Sequence, residues 1–296
     1  MDRRAKGVTG LERRFACTQC GKCCNRAPEL ELGEAADYAD TFVLQLLMRI
    51  YSLPRSFTEY DSPLPRAEAS AEYYESKRLL GQFAAASWHA KVQRADRIVD
   101  YVQYLSLSVL PLDLGLKACP ALSGENCSIY ESRPLSCRSV PLHYSRPAAA
   151  ARRDLDNFTG VPGFRCATGP EAPLVISGAG IVERTLLAAR TEALDQAKRD
   201  ARWKAALVKA MKVGEHNLPA PRAVEAKVEL GALTASMQAA WRVAETAGLI
   251  APGSTGRLLS AQARLIQREL DRSGLAPQTT SALTDLQREY AAALAA

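Results

Sequence analysis

The stretch Cys17-Thr18-Gln19-Cys20-Gly21-Lys22-Cys23-Cys24 packs four cysteines into eight positions and governs how the first half of the chain is read. A C-x2-C step lets two thiolates converge on one cation while the amides between them point at the sulfurs, and Gly21 lets the backbone fold back as a metal knuckle requires. Cys20 and Cys23 repeat the spacing. Cys24 follows directly, so it must point elsewhere, towards a second metal or the opposite side of a cluster.

A second group runs from Cys119-Pro120 through Cys127 to Arg133-Pro134-Leu135-Ser136-Cys137-Arg138. Ser123 to Asn126 reads as a turn. Pro134 suits the first turn of a short helix that presents Cys137. Arg133 and Arg138 bracket that thiol. Clustered thiolates carry excess negative charge, so both arginines are expected to offset it and to donate to sulfur. Cys166, in Gly163-Phe164-Arg165-Cys166, completes the set, and residues 167–296 hold no cysteine.

Eight cysteines stand against three histidines in 296 residues. An even count invites disulfides. The N-terminus, however, is basic and lacks the apolar stretch of a secretory signal, and no run of about 18 apolar residues is present to cross a bilayer. The expected compartment is a reducing, bacterial-type cytosol, where thiols stay free for metals. Vicinal Cys23 and Cys24 also pair badly as disulfides. Lys+Arg of 38 against Asp+Glu of 32 leaves only +6, and aromatic residues make up 6%, which together disfavour a nucleic-acid binder. A hydrophobic content of 47% excludes a disordered or collagen-like chain.

The pattern Cys17-x2-Cys20-Gly21-x-Cys23-Cys24, then Cys119-Pro120-x-Leu122, then Cys127-x-Ile129-Tyr130-Glu131-x-Arg133-Pro134-x-x-Cys137-Arg138 resembles the YkgJ-type cysteine-cluster family. That family is described as a zinc- or iron-chelating domain. The resemblance covers roughly residues 15–170, and all eight family cysteines find a match. It implies Cys17, Cys20, Cys23, Cys24, Cys119, Cys127, Cys137 and Cys166 as metal ligands. Family members commonly continue the last site as Cys-Pro-Gly, where this chain has Cys166-Ala167-Thr168. A more distant similarity is to the flagellin lysine-N-methylases, which implies an iron–sulfur cluster.

Eight thiolates suit two four-thiolate zinc sites, an iron–sulfur cluster with spare thiols, or a mixed site. Sulfur ligands exclude magnesium and calcium. The vicinal pair and the distant similarity lean towards iron–sulfur over zinc. His143, six residues past Cys137, is a candidate ligand or proton carrier, with packing as the plainer reading. His89 and His216 lack a neighbouring motif. Tyr130 and Ile129 either pack over the metal or serve the core. Arg3, Arg4, Lys6, Arg13, Arg14, Lys22 and Arg26 form a basic N-terminal stretch that attracts an acidic partner or balances the thiolates. Gly178-Ala179-Gly180 lacks the third glycine of a nucleotide loop, since Glu183 occupies that position, and reads as a turn opening the next helix.

The remaining sequence predicts an α+β, predominantly helical protein: a small cysteine-rich, metal-centred core with short strands over 1–180, followed by an Ala-rich helical bundle over 181–296. Helices are expected over Gly33–Ile50, from apolar Phe42, Leu46 and Ile50, and over Arg66–Ala86. Strands are expected over Arg97–Leu112. Further helices are expected over Ile181–Val213 (one or two), from Pro221 to about Ala247, from Ser254 or Thr255 to Arg272, and after a Thr279–Ser281 cap.

Three functions follow: a cytosolic metal-binding protein, an iron–sulfur-dependent enzyme that modifies protein side chains, or a zinc-stabilised adaptor for protein or nucleic acid. The C-terminal helices would dock on the core or recruit a protein partner. An enzyme predicts a concave pocket beside the cysteines, a closed binding module predicts none, and an adaptor predicts a basic face near residues 1–26.

Overall fold

The computed structural model describes residues 12–25, 27–94, 97–116, 118–178, 180–226 and 232–295. They form a mixed α/β protein, 47% helix and 21% strand. In chain order the elements are β1 (Arg13–Arg14), a 3-10 helix at Leu32–Tyr38, β2 (Leu44–Pro54), α1 (Arg66–Phe83), β3 (Ala84–Arg94), β4 (Arg97–Pro111), the two-residue strands β5 (Leu122–Ser123) and β6 (Asn126–Cys127), α2 (Leu135–Arg138) and α3 (Ala151–Thr159). There follow β7 (Leu174–Ser177), β8 (Gly180–Ile181), α4 (Arg184–Val213), α5 (Pro221–Ala226), β9 (Leu233–Ser236), α6 (Met237–Thr246), α7 (Ser254–Leu270) and α8 (Pro277–Ala295).

The organising element is an antiparallel sheet of order β3-β4-β2-β9. Its central pair runs from Leu44 opposite Pro111 to Pro54 opposite Tyr101. The expected helix over Gly33–Ile50 is therefore corrected to a 3-10 turn and a strand. Phe42, Leu46 and Ile50 fit a helical stripe, but Leu44, Leu46, Met48 and Ile50 also fit a period of two. Pairing with β4 on one side and β9 on the other selects the strand, because it satisfies the backbone of a largely buried segment.

The same sheet overturns two further expectations. The helix from Arg66 ends at Phe83, and Ala84–Arg94 becomes the edge strand β3, paired with β4. The helix expected from Pro221 to about Ala247 is broken into α5, β9 and α6, with Met48 opposite Leu233 and Gln45 opposite Ser236. Short strands occur, as expected, at β1, β5, β6, β7 and β8, but β2, β3 and β4 of this sheet are long, β4 having 15 residues. Ala-rich sequence favours helix locally, and non-local strand pairing overrides it.

One face of the sheet carries Leu44, Leu46, Met48, Ile50, Leu105, Leu107 and Val109 into the largest core. There they join Trp203 and Leu207 of α4, Met237 and Trp241 of α6, and Leu283 and Tyr290 of α8. That core draws on both sides of residue 180. On the other face α1 covers one end through Leu53, Tyr73 and Tyr104. Helix α4 is a single 30-residue helix that Glu183 caps by accepting the Leu186 N–H, and it ends at Gly214 with φ +69°. Gly180 pairs with Ser177 and begins β8 rather than opening the helix directly. Glu245, not Ser254 or Thr255, accepts the N–H groups of Gly253 and Thr255 that begin α7, and Pro277 opens α8 two residues before the expected cap. Among the described residues no helix is long and apolar enough to cross a membrane.

Candidate metal centre

All eight cysteines are free, Cys17 exposed and the other seven half-buried. They come from five separate segments, and all eight line one cavity of about 890 Å³. Backbone hydrogen bonds join the segments. The amides and carbonyls of Ala16 and Ala167 bond reciprocally at 2.8 and 3.1 Å, which sets Cys17 beside Cys166. The Cys119 N–H donates to the Cys24 carbonyl at 2.7 Å, which sets Cys24 beside Cys119. Cys127 lies on β6 opposite Leu122, whose N–H donates to the Cys119 carbonyl. Cys137 is carried on α2, which follows Pro134.

Backbone amides meet the sulfurs at a repeated two-residue offset. The Gln19 N–H donates to Cys17 Sγ, the Lys22 N–H to Cys20 and the Ala121 N–H to Cys119. Gly21 adopts φ +69°, and a Cβ there would meet the Glu125 carbonyl oxygen at 3.3 Å. Such N–H groups favour the thiolate and fix its direction.

The thiols act on one another in two sets. Burial, with neighbouring Cys20, Cys23 and Cys17, pushes Cys166 up to about 11. Burial, with Cys119, Cys127 and Cys23, pushes Cys137 up to about 12, against the opposing charge of Arg133. The hydrogen bond to Cys23 raises Cys24, helped by burial, Cys137 and Cys119, and the same bond lowers Cys23 to about 6. Cys17, Cys20, Cys23 and Cys166 thus form one electrostatic neighbourhood and Cys24, Cys119, Cys127 and Cys137 the other, with the vicinal pair at their junction. Burial, or for Cys24 the bond to Cys23, raises Cys24, Cys119, Cys137 and Cys166, and repulsion from neighbouring thiolates adds to it, whereas hydrogen bonds lower Cys20 and Cys23. Among the described residues, no three His, Cys, Asp or Glu side chains form a group that could hold a metal ion as placed.

Arg133 lies 3.7 Å from the Tyr130 ring centroid, donates to the Tyr130 carbonyl, and lowers Cys23 and Cys137 by its charge. Arg138 lines the cavity but gives both terminal nitrogens to Glu192 of α4 at 2.7 and 2.8 Å, and its buried Nε has no partner among the described residues. Ile129 packs against the main core. His143 lines the cavity with its ring stacked on Tyr144 at 4.3 Å, and burial with the charges of Arg146, Arg190 and Arg49 holds it down to about 4 against Glu29. His89 is exposed on β3, and His216 lies in a short 3-10 turn, remote in sequence from any cysteine. Of the basic N-terminal residues, Arg13 pairs with Asp156 at 2.6 Å and Arg14 donates to the Ala172 carbonyl. Arg3, Arg4, Lys6 and Arg26 lie outside the described residues.

Sequence reasoning missed the acidic residues that hold this wall. Glu34 accepts the N–H groups of Leu135, at the start of α2, and of Glu31. Glu31 accepts the Tyr144 hydroxyl and faces Lys204 of α4 at 3.3 Å. Glu29 accepts from Ser108 and Arg49. The available signal was three carboxylates interleaved with buried leucines in Glu29-Leu30-Glu31-Leu32-Gly33-Glu34. Compared with known proteins, the chain matches no family model, no curated protein and no solved structure.

Proposed function

We propose that this is a metal-binding protein whose eight cysteines hold an iron–sulfur cluster or zinc. One observation carries the reading: thiols spread from residue 17 to residue 166 all line the same cavity. The division into two electrostatic sets of four, meeting at Cys23 and Cys24, fits a pair of four-thiolate sites. The donor set is soft sulfur with amides directed at three of the sulfurs, which suits either ion and excludes hard cations. Bound metal would supply the charge neutralisation that the raised thiols Cys24, Cys119, Cys137 and Cys166 lack, so metal binding would contribute to folding. The resemblance to the YkgJ-type cysteine-cluster family supports the same ligand set.

A catalytic role is the second reading, and the size of the cavity favours it over a closed structural site. The zinc-stabilised adaptor has no comparable observation behind it. Purification without oxygen, a visible spectrum, and iron, zinc and sulfide analysis test the proposal. Bound iron with sulfide, or about two zinc ions per chain, supports it. Cys23→Ser and Cys137→Ser should each lower metal content and melting temperature. Metal-free protein, or unchanged metal in both variants, refutes the ligand assignment.

A further inference from the structure

The cavity is larger than ligation requires. A closed four-thiolate site surrounds its ion with no room to spare, whereas about 890 Å³ falls within the roughly 300–1,000 Å³ of small-molecule pockets. Besides the thiols, the cavity is lined by Glu29, Arg49 and His143 and by apolar Phe42, Leu110 and Val140. Charged Asp113, Glu125, Glu183, Arg133 and Arg138 line it too, but Glu29, Arg49 and His143 lie together.

His143 is a built donor. The Ser145 N–H donates to its Nδ1 at 3.3 Å, with Ser145 Oγ 2.8 Å from the same nitrogen. Nδ1 therefore accepts, and the single proton of the neutral ring sits on Nε2. Nε2–H has no partner among the described residues. The ring cannot easily turn to find one, because it stacks on Tyr144, whose hydroxyl is tied to buried Glu31. The ring is half-buried and its Nε2–H is not sealed from the cavity it lines, so an acceptor there can reach it.

Arg49 adds a second donor. Its Nη1 serves Glu29 Oε2 at 3.2 Å and the Tyr51 hydroxyl oxygen at 2.9 Å, and its other nitrogens have no partner among the described residues. Glu29 takes one bond on each oxygen, from Arg49 and from Ser108 Oγ at 2.6 Å, and so leaves the remaining Arg49 nitrogens free for another acceptor. Arg49 is close enough for its charge to act on the His143 ring. His143 Nε2–H and the spare Arg49 nitrogens are thus donors near one another beside apolar walls, which fits an acceptor head group on an apolar body.

We propose that this part of the cavity binds a small carboxylate with an aliphatic or aromatic body, its oxygens taken by His143 Nε2–H and the Arg49 guanidinium. The proposal rests on the reading of the cavity as a metal-lined site and names what shares it.

Isothermal titration of the full-length, metal-loaded protein with benzoate and hexanoate, each against its neutral amide, tests it, with metal content measured on the same sample. Both carboxylates should bind at least about tenfold more tightly than the amides. His143→Phe and Arg49→Met should each weaken carboxylate binding about tenfold with metal retained, while His143→Gln, which keeps an N–H, retains more affinity than His143→Phe. Equal binding of acid and amide, or variants that bind as the parent does, overturns the proposal. Intact metal with no carboxylate binding up to about 10 mM overturns it alone. Carboxylate binding by metal-free protein supports it and counts against the metal reading.

Discussion

Replacing Lys204 with methionine removes a buried cation from an acidic network that supports the cysteine wall. Lys204 Nζ lies 3.3 Å from Glu31 Oε2 and 3.0 Å from the Phe83 carbonyl, with 4% of its side chain exposed. Glu31, at 6%, is equally sealed from water. Methionine keeps the apolar stem and deletes the ammonium, so the loss is electrostatic rather than a cavity. Breaking a buried pair from one side leaves an uncompensated charge and costs about 3–5 kcal/mol. That is a large fraction of the about 5–15 kcal/mol that holds a typical domain folded. At about 2–4 °C per kcal/mol for a chain of this size, melting should fall by roughly 10 °C.

Calorimetry on Lys204→Met, on the double variant Lys204→Met with Glu31→Gln, and on Lys198→Met measures this. The double variant leaves no orphaned charge and should recover at least half of the loss. Lys198, whose pair with Asp195 is exposed, should leave the melting temperature unchanged. A Lys204→Met protein within about 1 kcal/mol of the parent would refute the reasoning, as would a double variant no more stable than the single one.

Two further predictions concern the fold. Gln262, fully buried on α7, accepts the Leu44 N–H at 2.8 Å and donates to the Ala39 and Phe42 carbonyls at 2.5 and 2.8 Å, latching the start of β2. Gln262→Leu orphans all three groups and should cost about 3 kcal/mol or more in chemical denaturation. Acid and neutral pH should act with opposite signs. Burial raises Glu31, Glu34 and Asp200, so the stability they permit is full below the ordinary carboxylate range near about 4 and is lost as pH rises through their raised values. The hydrogen bond from Arg138 lowers Glu192, so its contribution is present above that range and is lost as pH falls through its depressed value. In melting curves against pH, Asp200→Asn should flatten the decline towards neutrality and Glu192→Gln the decline into acid. Unchanged slopes would contradict both assignments.

Much of the secondary structure was legible where local signals agreed. Helix α1 starts at Arg66 as expected, β4 follows its β-branched and aromatic run, and the break between α6 and α7 falls on Gly248 and Gly253, both at positive φ. The failures cluster on β2, β3 and β9, three strands of one sheet. Leu44–Pro54 satisfies two periodicities, Ala84-Ala85-Ala86 reads as helix, and Leu233–Ser236 is too short to signal anything. Each is a strand because of a partner far away in the chain, which no local window contains. The site divides in the same way. The cysteines and Arg133 declared themselves by spacing, whereas Glu29, Glu34, Arg49, Glu192 and Lys204 act through contacts with residues between 20 and 173 positions distant.

The sequence alone determined the donor chemistry on which the metal proposal rests. Thiols in a C-x2-C pattern would select soft metals, because donor type and local backbone geometry belong to a few consecutive residues. Only the tertiary structure brought Cys17 beside Cys166 and Cys24 beside Cys119, and it alone opened a cavity that also takes in His143 and Arg49. Those are distances between segments, and they arise when burial of the sheet and its helices chooses one packing over the local preferences of each piece.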